Sequence, residues 1–244
     1  MSKARIIWSC VGVGITAALL VAAVVWGYEM TPTAAPCASL EYIIEDRAER
    51  LYLAESELTQ LLRAEDLYPV GKAQDVVSLH RIETTVRKHP MVRTAECYIT
   101  PRNEVKVRLT QRVPLLRVQT ALETYFIDTD RRVMPVRASV KDSVLLVTGN
   151  VGVQMASKSL ADFAEWLQDN EYWQPRVHHV SVATPQMVYL YLHHSPRIVM
   201  GNMRGYDSKL AKLRTFQEYG QEAVKDKNYI EYDLRFKGQV IGRF

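Results

Sequence analysis

Apolar and polar positions divide the chain into one continuous apolar segment and two regions in which they alternate. The apolar segment, residues 6–28, contains no charged side chain. As a helix rising ~1.5 Å per residue it would extend about 34 Å, which exceeds the ~30 Å hydrocarbon core of a bilayer. Trp8, Trp26 and Tyr28 stand near its two ends, where aromatic side chains favour the membrane interface. The pattern therefore predicts a transmembrane helix over 6–28.

The charges around this segment predict its orientation. Lys3 and Arg5 precede it, and the first residue after it is Glu29. Because positive residues favour the cytoplasmic side, we expect residues 1–5 to form a cytoplasmic tail and the later domains to lie outside the cytoplasm. A cleaved signal peptide is the alternative, since residues 33–35 offer small side chains to a peptidase. Its apolar region would span only ~7–15 residues, so the longer segment favours an anchor.

A linker, residues 29–38, leads into a small module predicted over 39–113. The linker contains two prolines and small side chains. In the module, strand-type alternation and helical spacing follow one another, with Ser78 placed to cap the second helix and Pro90 to end it. In order, the elements are a strand (40–44), a helix (around 58–62), a loop (65–77), a helix (79–86) and a hairpin of two strands (92–99 and 105–110). Two helices covering one face of a small sheet define a compact α+β domain.

The pattern of apolar and polar residues over 114–244 predicts a second domain that consists mainly of short strands. Strand-type patterns recur at 115–118, 125–128, 133–136, 144–148, 177–183, 187–193 and 198–200. Two helices interrupt them, one over 157–169 with Ser157 as its cap and Leu160, Phe163, Ala164 and Leu167 inward, the other over 207–223 with Leu210, Leu213 and Phe216 on one side. We expect an α+β fold whose helices pack on a mostly antiparallel sheet.

The end of the chain carries the clearest strand signal. Apolar and polar residues alternate over 230–236, and Lys237 and Gly238 are suited to turn the chain into a last strand, 239–244. Tyr232 and Phe236 fall on one face of the first of these strands. An exposed terminal strand with aromatic residues is a place where another chain can add a strand through backbone hydrogen bonds.

Composition and charge narrow the class of protein. The 244 residues are 48% hydrophobic and 24% charged, which is typical of globular domains and excludes a disordered or collagen-like chain. Lys3 and Arg5 contribute half of the net charge of +4, so the rest is nearly neutral and no nucleic-acid-binding surface is expected. Cys10 lies in the apolar segment, and we expect Cys37 and Cys97 to remain separate thiols.

Histidine pairs are the strongest candidates for a metal site. They occur at 178–179 and 193–194, each within or beside a predicted strand. Since neighbouring residues of a strand point to opposite faces, each pair offers one ligand to a site, and no Asp or Glu lies in either strand to complete a set. We therefore expect no metal and no bound cofactor, and we interpret the histidines as surface or strand-end residues.

Other candidates for chemistry have structural explanations. Asp128 and Asp130 fit a polar turn between two strands in which side chains bond to the local backbone, and Arg131 and Arg132 are interpreted as its solvated charges. Ser157 precedes Lys158, as in a Ser/Lys hydrolase, but the helix cap explains it better. Without a nucleophile elbow, a phosphate loop or a zinc-binding motif, the chain is not expected to be an enzyme.

Short motifs occur in a fixed order along both domains. They are His89-Pro90-Met91-Val92-Arg93-Thr94-Ala95 (P-x-V-x-x-A), Gln111-Arg112-Val113-Pro114 (E/Q-R-x-P), Phe126-Ile127-Asp128 with Met134-Pro135 (the "ID…G…P" hairpin), Leu146-Val147-Thr148-Gly149, Met200-Gly201 followed by Lys209 to Leu213, and the final strand Tyr229 to Phe236. This ordered set resembles the FtsQ/DivIB family of bacterial division proteins, and the first module looks like a POTRA domain. Two positions depart from the family pattern: Gln111 stands where Glu is commoner, and Arg131 where the hairpin usually has Gly.

The resemblance implies a non-enzymatic, single-pass scaffold of the inner membrane at the division septum. Such proteins bind FtsB and FtsL and link them to septal peptidoglycan synthesis, and the last strands of the β-domain pair with FtsB. Carried over to this chain, the candidate partner-binding residues are Tyr232, Asp233, Arg235, Phe236, Gln239, Val240, Phe244 and Lys209. The POTRA-like module, through its 92–99 strand, would suit recruitment contacts.

Two other classes of protein stay open at this stage. One is a POTRA-bearing component of a protein transport or outer-membrane assembly system. Proteins of that class usually carry tandem POTRA modules or a long barrel, whereas one such module is predicted here. The other is an extracytoplasmic hydrolase that uses Ser157, which labelling by an activity-based probe would reveal.

Overall fold

The computed structural model describes residues 20–22, 35–47, 52–138, 140, 144–193, 196–220 and 229–244. The predicted cytoplasmic tail with Lys3 and Arg5, His194 and all but three residues of the predicted transmembrane helix lie outside these ranges. Residues 20–22 are helical and exposed. None of the helices that the structure describes is both long enough and apolar enough to cross a membrane.

The first module has the predicted order of elements. These are β1 (Ser39–Ile44), α1 (Glu55–Ala64), α2 (Leu79–Arg87), β2 (Val92–Ile99) and β3 (Glu104–Gln111). The sheet order is β1-β3-β2, with β1 parallel and β2 antiparallel to β3. Leu58 and Leu62 of α1 and Ile82 and Val86 of α2 are buried against the sheet, and Ser78 Oγ accepts a hydrogen bond from Arg81 N. The helical spacing and the Ser78 cap are confirmed.

The second domain is built on one sheet of nine strands among the described residues. Its elements are β4 (Pro114–Gln119), β5 (Thr124–Asp128), β6 (Val133–Pro135), β7 (Leu145–Gly149), α3 (Val153–Met155), a π-helical turn (Ala156–Leu160), α4 (Ala161–Gln168), β8 (Val177–Thr184), β9 (Met187–Leu192), β10 (Arg197–Gly201), α5 (Tyr206–Thr215), a second π-helical turn (Phe216–Gly220), β11 (Glu231–Asp233) and β12 (Ile241–Arg243). The strand order is β12-β11-β10-β9-β8-β7-β4-β5-β6. The pairs β4–β7, β7–β8 and β10–β11 are parallel, and the others are antiparallel.

The helix that follows β7 begins earlier than its sequence predicts. Leu160, Phe163, Ala164 and Leu167 are buried as predicted. The N-cap, however, is Gly152, and Ser157 lies inside the π-helical turn, where its Oγ donates to Gln154 O. The predicted Ser157 cap is wrong, because serine at an interior helical position also satisfies its hydroxyl on a preceding carbonyl.

The C-terminal strand is shorter than its alternation predicts. β11 ends at Asp233, whose carboxylate accepts a hydrogen bond from Arg235 N and so turns the chain out of the sheet. Gly238 takes a left-handed conformation (φ +74°) in the predicted turn, and β12 returns antiparallel to β11. Arg235 and Phe236 therefore belong to the loop that links the two strands.

The two domains share side chains at their junction. Phe126 of β5 and Met134 of β6 are buried in the hydrophobic core of the first module. Arg112 Nη1 donates to Asp128 Oδ2 at 2.7 Å, and both side chains are almost fully buried. Arg93 adds an ion pair with Asp130. The hairpin β5–β6 thus packs on the first module while its strands continue the large sheet.

Candidate partner-binding edge

Strand β12 occupies one end of the nine-stranded sheet. Ile230 O accepts a hydrogen bond from Arg197 N, and Leu234 N donates one to Val199 O, so these two groups point toward β10. Tyr232 lies midway between them, and its peptide N–H and C=O point toward β10 as well. Residues 231 and 233 consequently direct their peptide groups to β12, opposite residues 243 and 241. Gly242, opposite Tyr232, is then in a non-hydrogen-bonded pair, and its N–H and C=O point away from the sheet. The edge presents backbone groups to which a further strand can bond.

A network of charges ties the edge strand to the sheet. Glu231 of β11 accepts from Arg197 of β10, and Arg243 Nη1 of β12 lies 3.4 Å from its Oε1. Asp233 accepts from Arg235 Nη2 at 2.6 Å and from Arg243 Nη2 at 3.0 Å. Both carboxylates are buried. Each buried anion therefore has two guanidinium partners, and Arg243 serves both.

The ionisation of these groups follows from their contacts. Hydrogen bonds from Arg235 hold the pKa of Asp233 below its usual range, with Arg243 adding to the effect. The hydrogen bond to Asp233 raises the pKa of Arg235, and that to Glu231 raises the pKa of Arg197. Asp233 is thus charged at neutral pH although it has no exposed surface.

Aromatic rings cover the edge strand on its helical side. Tyr232, which is 2% exposed, packs against Phe216 and Tyr229 with ring centroids 5.5 Å apart in each case. The Tyr229 ring lies over Gly242 so closely that a Cβ there would be 2.2 Å from its Cε1. Phe244 stacks on Tyr229 at 4.9 Å and remains 69% exposed. The absence of a side chain at Gly242 therefore leaves space for the ring of Tyr229. Tyr229 packs between the buried ring of Tyr232 and the exposed ring of Phe244.

The sequence-predicted site residues divide into two sets. Tyr232 and Asp233 are buried, and Val240 is partly buried against the core. The exposed set consists of Arg235, Phe236, Gln239 and Phe244. Phe236, Gln239 and Phe244 expose side-chain surface at the edge, whereas Arg235 is exposed but bonds to Asp233. The buried residues support the edge from behind.

Lys209 is fixed by the protein itself. Its Nζ donates to Met200 O at 2.9 Å and to Asn202 O at 2.7 Å, and burial, followed by the charge of Lys212, lowers its pKa. The structure places this side chain under the loop after β10. Sequence reasoning missed Lys212, whose Nζ donates to Phe236 O at 2.6 Å and so holds the β11–β12 loop on α5. The i, i+3 spacing of the two lysines was the available signal.

The 92–99 strand, β2, lies at an edge of the three-stranded sheet. Arg93, Thr94, Glu96 and Tyr98 are exposed along it. Arg93 is engaged by Asp130 of the second domain. Arg87 Nη2 of α2 donates to Ala95 O at 2.9 Å, so among the described residues the part of this edge without such a contact begins after Ala95.

The histidines are closer together than the alternation of a regular strand allows. The β8–β9 register shifts between Val177 and His179, and His178 Nδ1 lies 2.8 Å from His179 Nδ1. The expectation that these two rings point apart is wrong for this reason. His193 lies 4.9 Å from His178 between ring centroids, and His179 stacks on Tyr191. In the described ranges, no three or more His, Cys, Asp or Glu side chains are arranged to hold a metal ion.

The β5–β6 turn matches the predicted pattern, with Arg132 exposed as expected, but Arg131 differs from it. Asp128 Oδ1 accepts from Arg132 N at 2.7 Å, as expected of a turn carboxylate. Arg131 takes the left-handed conformation (φ +66°) that glycine favours. Its Nη2 lies 3.0 Å from Asp162 Oδ1 and 2.6 Å from Glu165 Oε2, so it is not a merely solvated charge. Arg131 therefore combines a backbone conformation that is uncommon for a residue with a side chain and two ion pairs with α4.

The contacts of Gln111 explain why glutamine, rather than the commoner glutamate, occupies this position of the family motif. Its Oε1 accepts from Tyr52 N at 2.9 Å and Leu53 N at 3.1 Å, contacts that a glutamate would also make. Its Nε2 donates to Asp46 Oδ1 at 3.3 Å, which a carboxylate is unable to do. The amide suits this buried position because an acidic neighbour is present.

The structure describes Cys37 and Cys97 as free thiols. Cys37 is buried, and burial raises the pKa of Cys97 to about 12. Cys97 is therefore protonated and a poor nucleophile at neutral pH.

The fold comprises a small POTRA-like module joined to a β-domain whose sheet ends at β12. Residues 113–243 match the family model described as FtsQ/DivIB, C-terminal related, and residues 35–110 match the POTRA-like domain. The chain belongs to the FtsQ/DivIB family, a family of non-enzymatic cell-division scaffolds. The resemblance inferred from the sequence is thereby confirmed. No curated protein matches the chain significantly.

Proposed function

We propose that the chain is a single-pass membrane scaffold of the bacterial division complex. It binds FtsB- and FtsL-like proteins and links them to septal peptidoglycan synthesis. In this proposal residues 6–28 form the anchor, Lys3 and Arg5 keep the N-terminus in the cytoplasm, and residues 39–113 and 114–244 form two periplasmic domains. Family membership and the uncharged N-terminal segment support it.

The position of β12 is the observation that carries the binding mechanism. The strand terminates the sheet, and Gly242 directs its peptide N–H and C=O outward. A partner segment in extended conformation would bond to these groups and continue the sheet as a further strand. Because β12 has three residues, we expect the pairing with a partner strand to be short.

The exposed side chains around this edge supply specificity. Phe236 and Phe244 offer aromatic surface, and Arg235 and Gln239 offer polar groups beside it. Aromatic and arginine side chains dominate the energetics of many protein interfaces. The β2 edge of the POTRA-like module, after Ala95, is proposed as a separate contact for recruitment.

Hydrogen exchange of the full chain tests the strand addition. Exchange is measured with and without the periplasmic segment of an FtsB-like protein. We expect slower exchange in peptides that cover 239–244, because outward amides such as that of Gly242 become hydrogen-bonded. Peptides from the β4–β5 turn, residues 120–123, lie several strands away and serve as the internal control. Protection that spares 239–244 contradicts addition at β12.

Deletion of residues 237–244 gives a second test by co-purification with FtsB. The deletion removes Arg243, so near-ultraviolet circular dichroism must first show that the domain stays folded. A folded deletion variant that still binds FtsB at wild-type strength rules out the edge as the binding site.

The cellular role has its own test. Depletion of the protein should produce filamentous cells with unfinished septa, and a fluorescent fusion should collect at mid-cell. A uniform envelope signal together with normal division would overturn the division role, whatever the sheet edge binds.

A further inference from the structure

A crevice with a volume of about 390 Å³ opens between the two domains, where the end of α2 meets the β5–β6 hairpin. We call it the junction crevice. Its walls include Arg87, Lys88, Arg112 and Arg132, and none of its lining residues is acidic. Lys88 comes from the POTRA-like module and Arg132 from the β-domain, so both domains contribute charge.

Two of the four cations are already neutralised. Arg87 Nη2 lies 2.5 Å from Glu83 Oε1, and Arg112 Nη1 lies 2.7 Å from Asp128 Oδ2. Lys88 and Arg132 are exposed, and neither has a carboxylate partner within the described part of the chain. The junction crevice therefore holds two positive charges that no carboxylate balances there.

His89 also lines the crevice but adds no charge at neutral pH. Its Nδ1 accepts a hydrogen bond from Met91 N at 3.3 Å, so its proton is on Nε2, which faces Glu57. Burial, followed by the positive charge of Arg137, lowers the pKa of the imidazole. The charge of the crevice is thus set by arginine and lysine over the whole neutral range.

The backbones that carry the two unpaired cations are fixed before any ligand arrives. Arg132 N donates to Asp128 Oδ1 at 2.7 Å, and Asp128 N donates to Arg132 O at 2.9 Å. Lys88 is the C-cap of α2, and its N–H bonds to Thr84 O. The distance between the backbones of Lys88 and Arg132 therefore depends on the domain junction, where Arg112 Nη1 of the first module donates to Asp128 Oδ2 of the β-domain.

We propose that the junction crevice binds a phosphate group through Lys88 and Arg132. A phosphate monoester carries about −1.5 to −2 charges at neutral pH, which matches the two unbalanced cations, whereas one carboxylate would leave one of them unpaired. Lysine and arginine are common ligands of phosphate oxygens. Thr84, which also lines the crevice, supplies a hydroxyl donor.

Titration calorimetry with inorganic phosphate tests the proposal on the full chain at low ionic strength. The double variant K88Q/R132Q should bind phosphate at least about tenfold more weakly than wild type, because both charged hydrogen bonds are lost. The control is R102Q/K158Q, which removes the same net charge from exposed residues, one in each domain. It should bind as wild type does. The thermal unfolding transition of each variant is compared with that of the wild type to verify that the fold is intact.

Soluble short-chain lipids then distinguish the source of the phosphate. Dihexanoyl-phosphatidic acid that competes with inorganic phosphate, while dihexanoyl-phosphatidylcholine does not, identifies an anionic lipid headgroup. Phosphate binding without competition identifies a soluble phosphate ligand. Absence of phosphate binding to the wild type, or equal loss in the crevice and control variants, overturns the proposal.

Discussion

Arg243 Nη2 of the edge strand lies 3.0 Å from Oδ2 of Asp233, a carboxylate with no exposed surface on the neighbouring strand. The same carboxylate accepts from Arg235 in the loop that joins the two strands. One buried anion therefore holds both the outermost strand and the loop that delivers it. The buried carboxylate of Asp233 thus stabilises the sheet edge that is proposed to bind a partner, although the partner would not contact Asp233 itself.

Substitution D233N should loosen this edge. Asparagine retains the size of the side chain but loses the charge that two guanidinium groups bind, so we expect the free energy of unfolding to fall by about 1–3 kcal/mol. Urea denaturation measures the change. The matched control is D75N, the same substitution at an exposed position of the first module, which should change stability by less than about 0.5 kcal/mol. Equal effects of the two substitutions would contradict a special role for Asp233.

The contribution of Asp233 should also depend on pH. Because its pKa is lower in the folded state than in the unfolded chain, its stabilisation is complete above the unfolded pKa of ~3.9 and is lost as pH falls through the folded pKa. The difference in unfolding free energy between wild type and D233N should therefore be largest near pH 7 and shrink below about pH 4. Denaturation series at several pH values measure this difference. A difference that is constant from pH 7 to pH 3 would show that the charge is not responsible.

Arg131 allows a test in which backbone and charge effects separate. Its φ of +66° is unfavourable for alanine, whereas glycine adopts it freely, and both replacements lose the ion pairs with α4. R131G should therefore be more stable than R131A by about 1 kcal/mol. At Arg132, which has no positive φ, the order should reverse, with R132A the more stable of the two. Urea denaturation of the four variants decides it, and the same order at both positions would argue against strain at Arg131.

Gly149 ends β7 where the backbone of β8 passes closely. With φ at +100°, a Cβ at this position would lie 2.2 Å from Val182 O, so any side chain forces the strands apart. We expect G149S to lower the unfolding free energy by more than about 3 kcal/mol or to prevent folding. G152S is the control: the N-cap of α3 has open space, and serine is favoured there. Thermal unfolding of both variants compares them, and similar transition temperatures would contradict the close approach.

Most elements were predictable because each buries one face. Alternation located β4, β5, β8 and β9 to within a few residues, and helical spacing located the buried side of α4. Local signals also placed the Ser78 cap correctly. The Ser157 cap failed because the same residue type satisfies its hydroxyl inside a helix, and the true cap, Gly152, carries no side-chain signal.

The errors at the sites have a different cause. The approach of His178 to His179 depends on a register shift against β9, and the pairing of Arg131 with Asp162 and Glu165 joins residues about thirty positions apart. Alternation along a single strand contains neither kind of information. The same applies to the parallel pairs of β7, which are closed by long connections. The return strand β12 was predictable from the turn at Lys237 and Gly238, but the burial of Tyr232 and Asp233 beside it was not.

Phe244 offers the sharpest test of the partner-binding edge. Its ring is exposed and stacks on Tyr229, so F244A should change the free energy of unfolding by less than about 0.5 kcal/mol while weakening the binding of an FtsB-like segment about tenfold or more. L122A is the matched control, because Leu122 is a 97% exposed apolar residue in the β4–β5 turn, far from β12 in the sheet order. Calorimetric titration of both full-length variants measures the affinities. If F244A and L122A bind the segment equally well, the exposed aromatic surface beside β12 takes no part in recognition, and the contact must lie elsewhere.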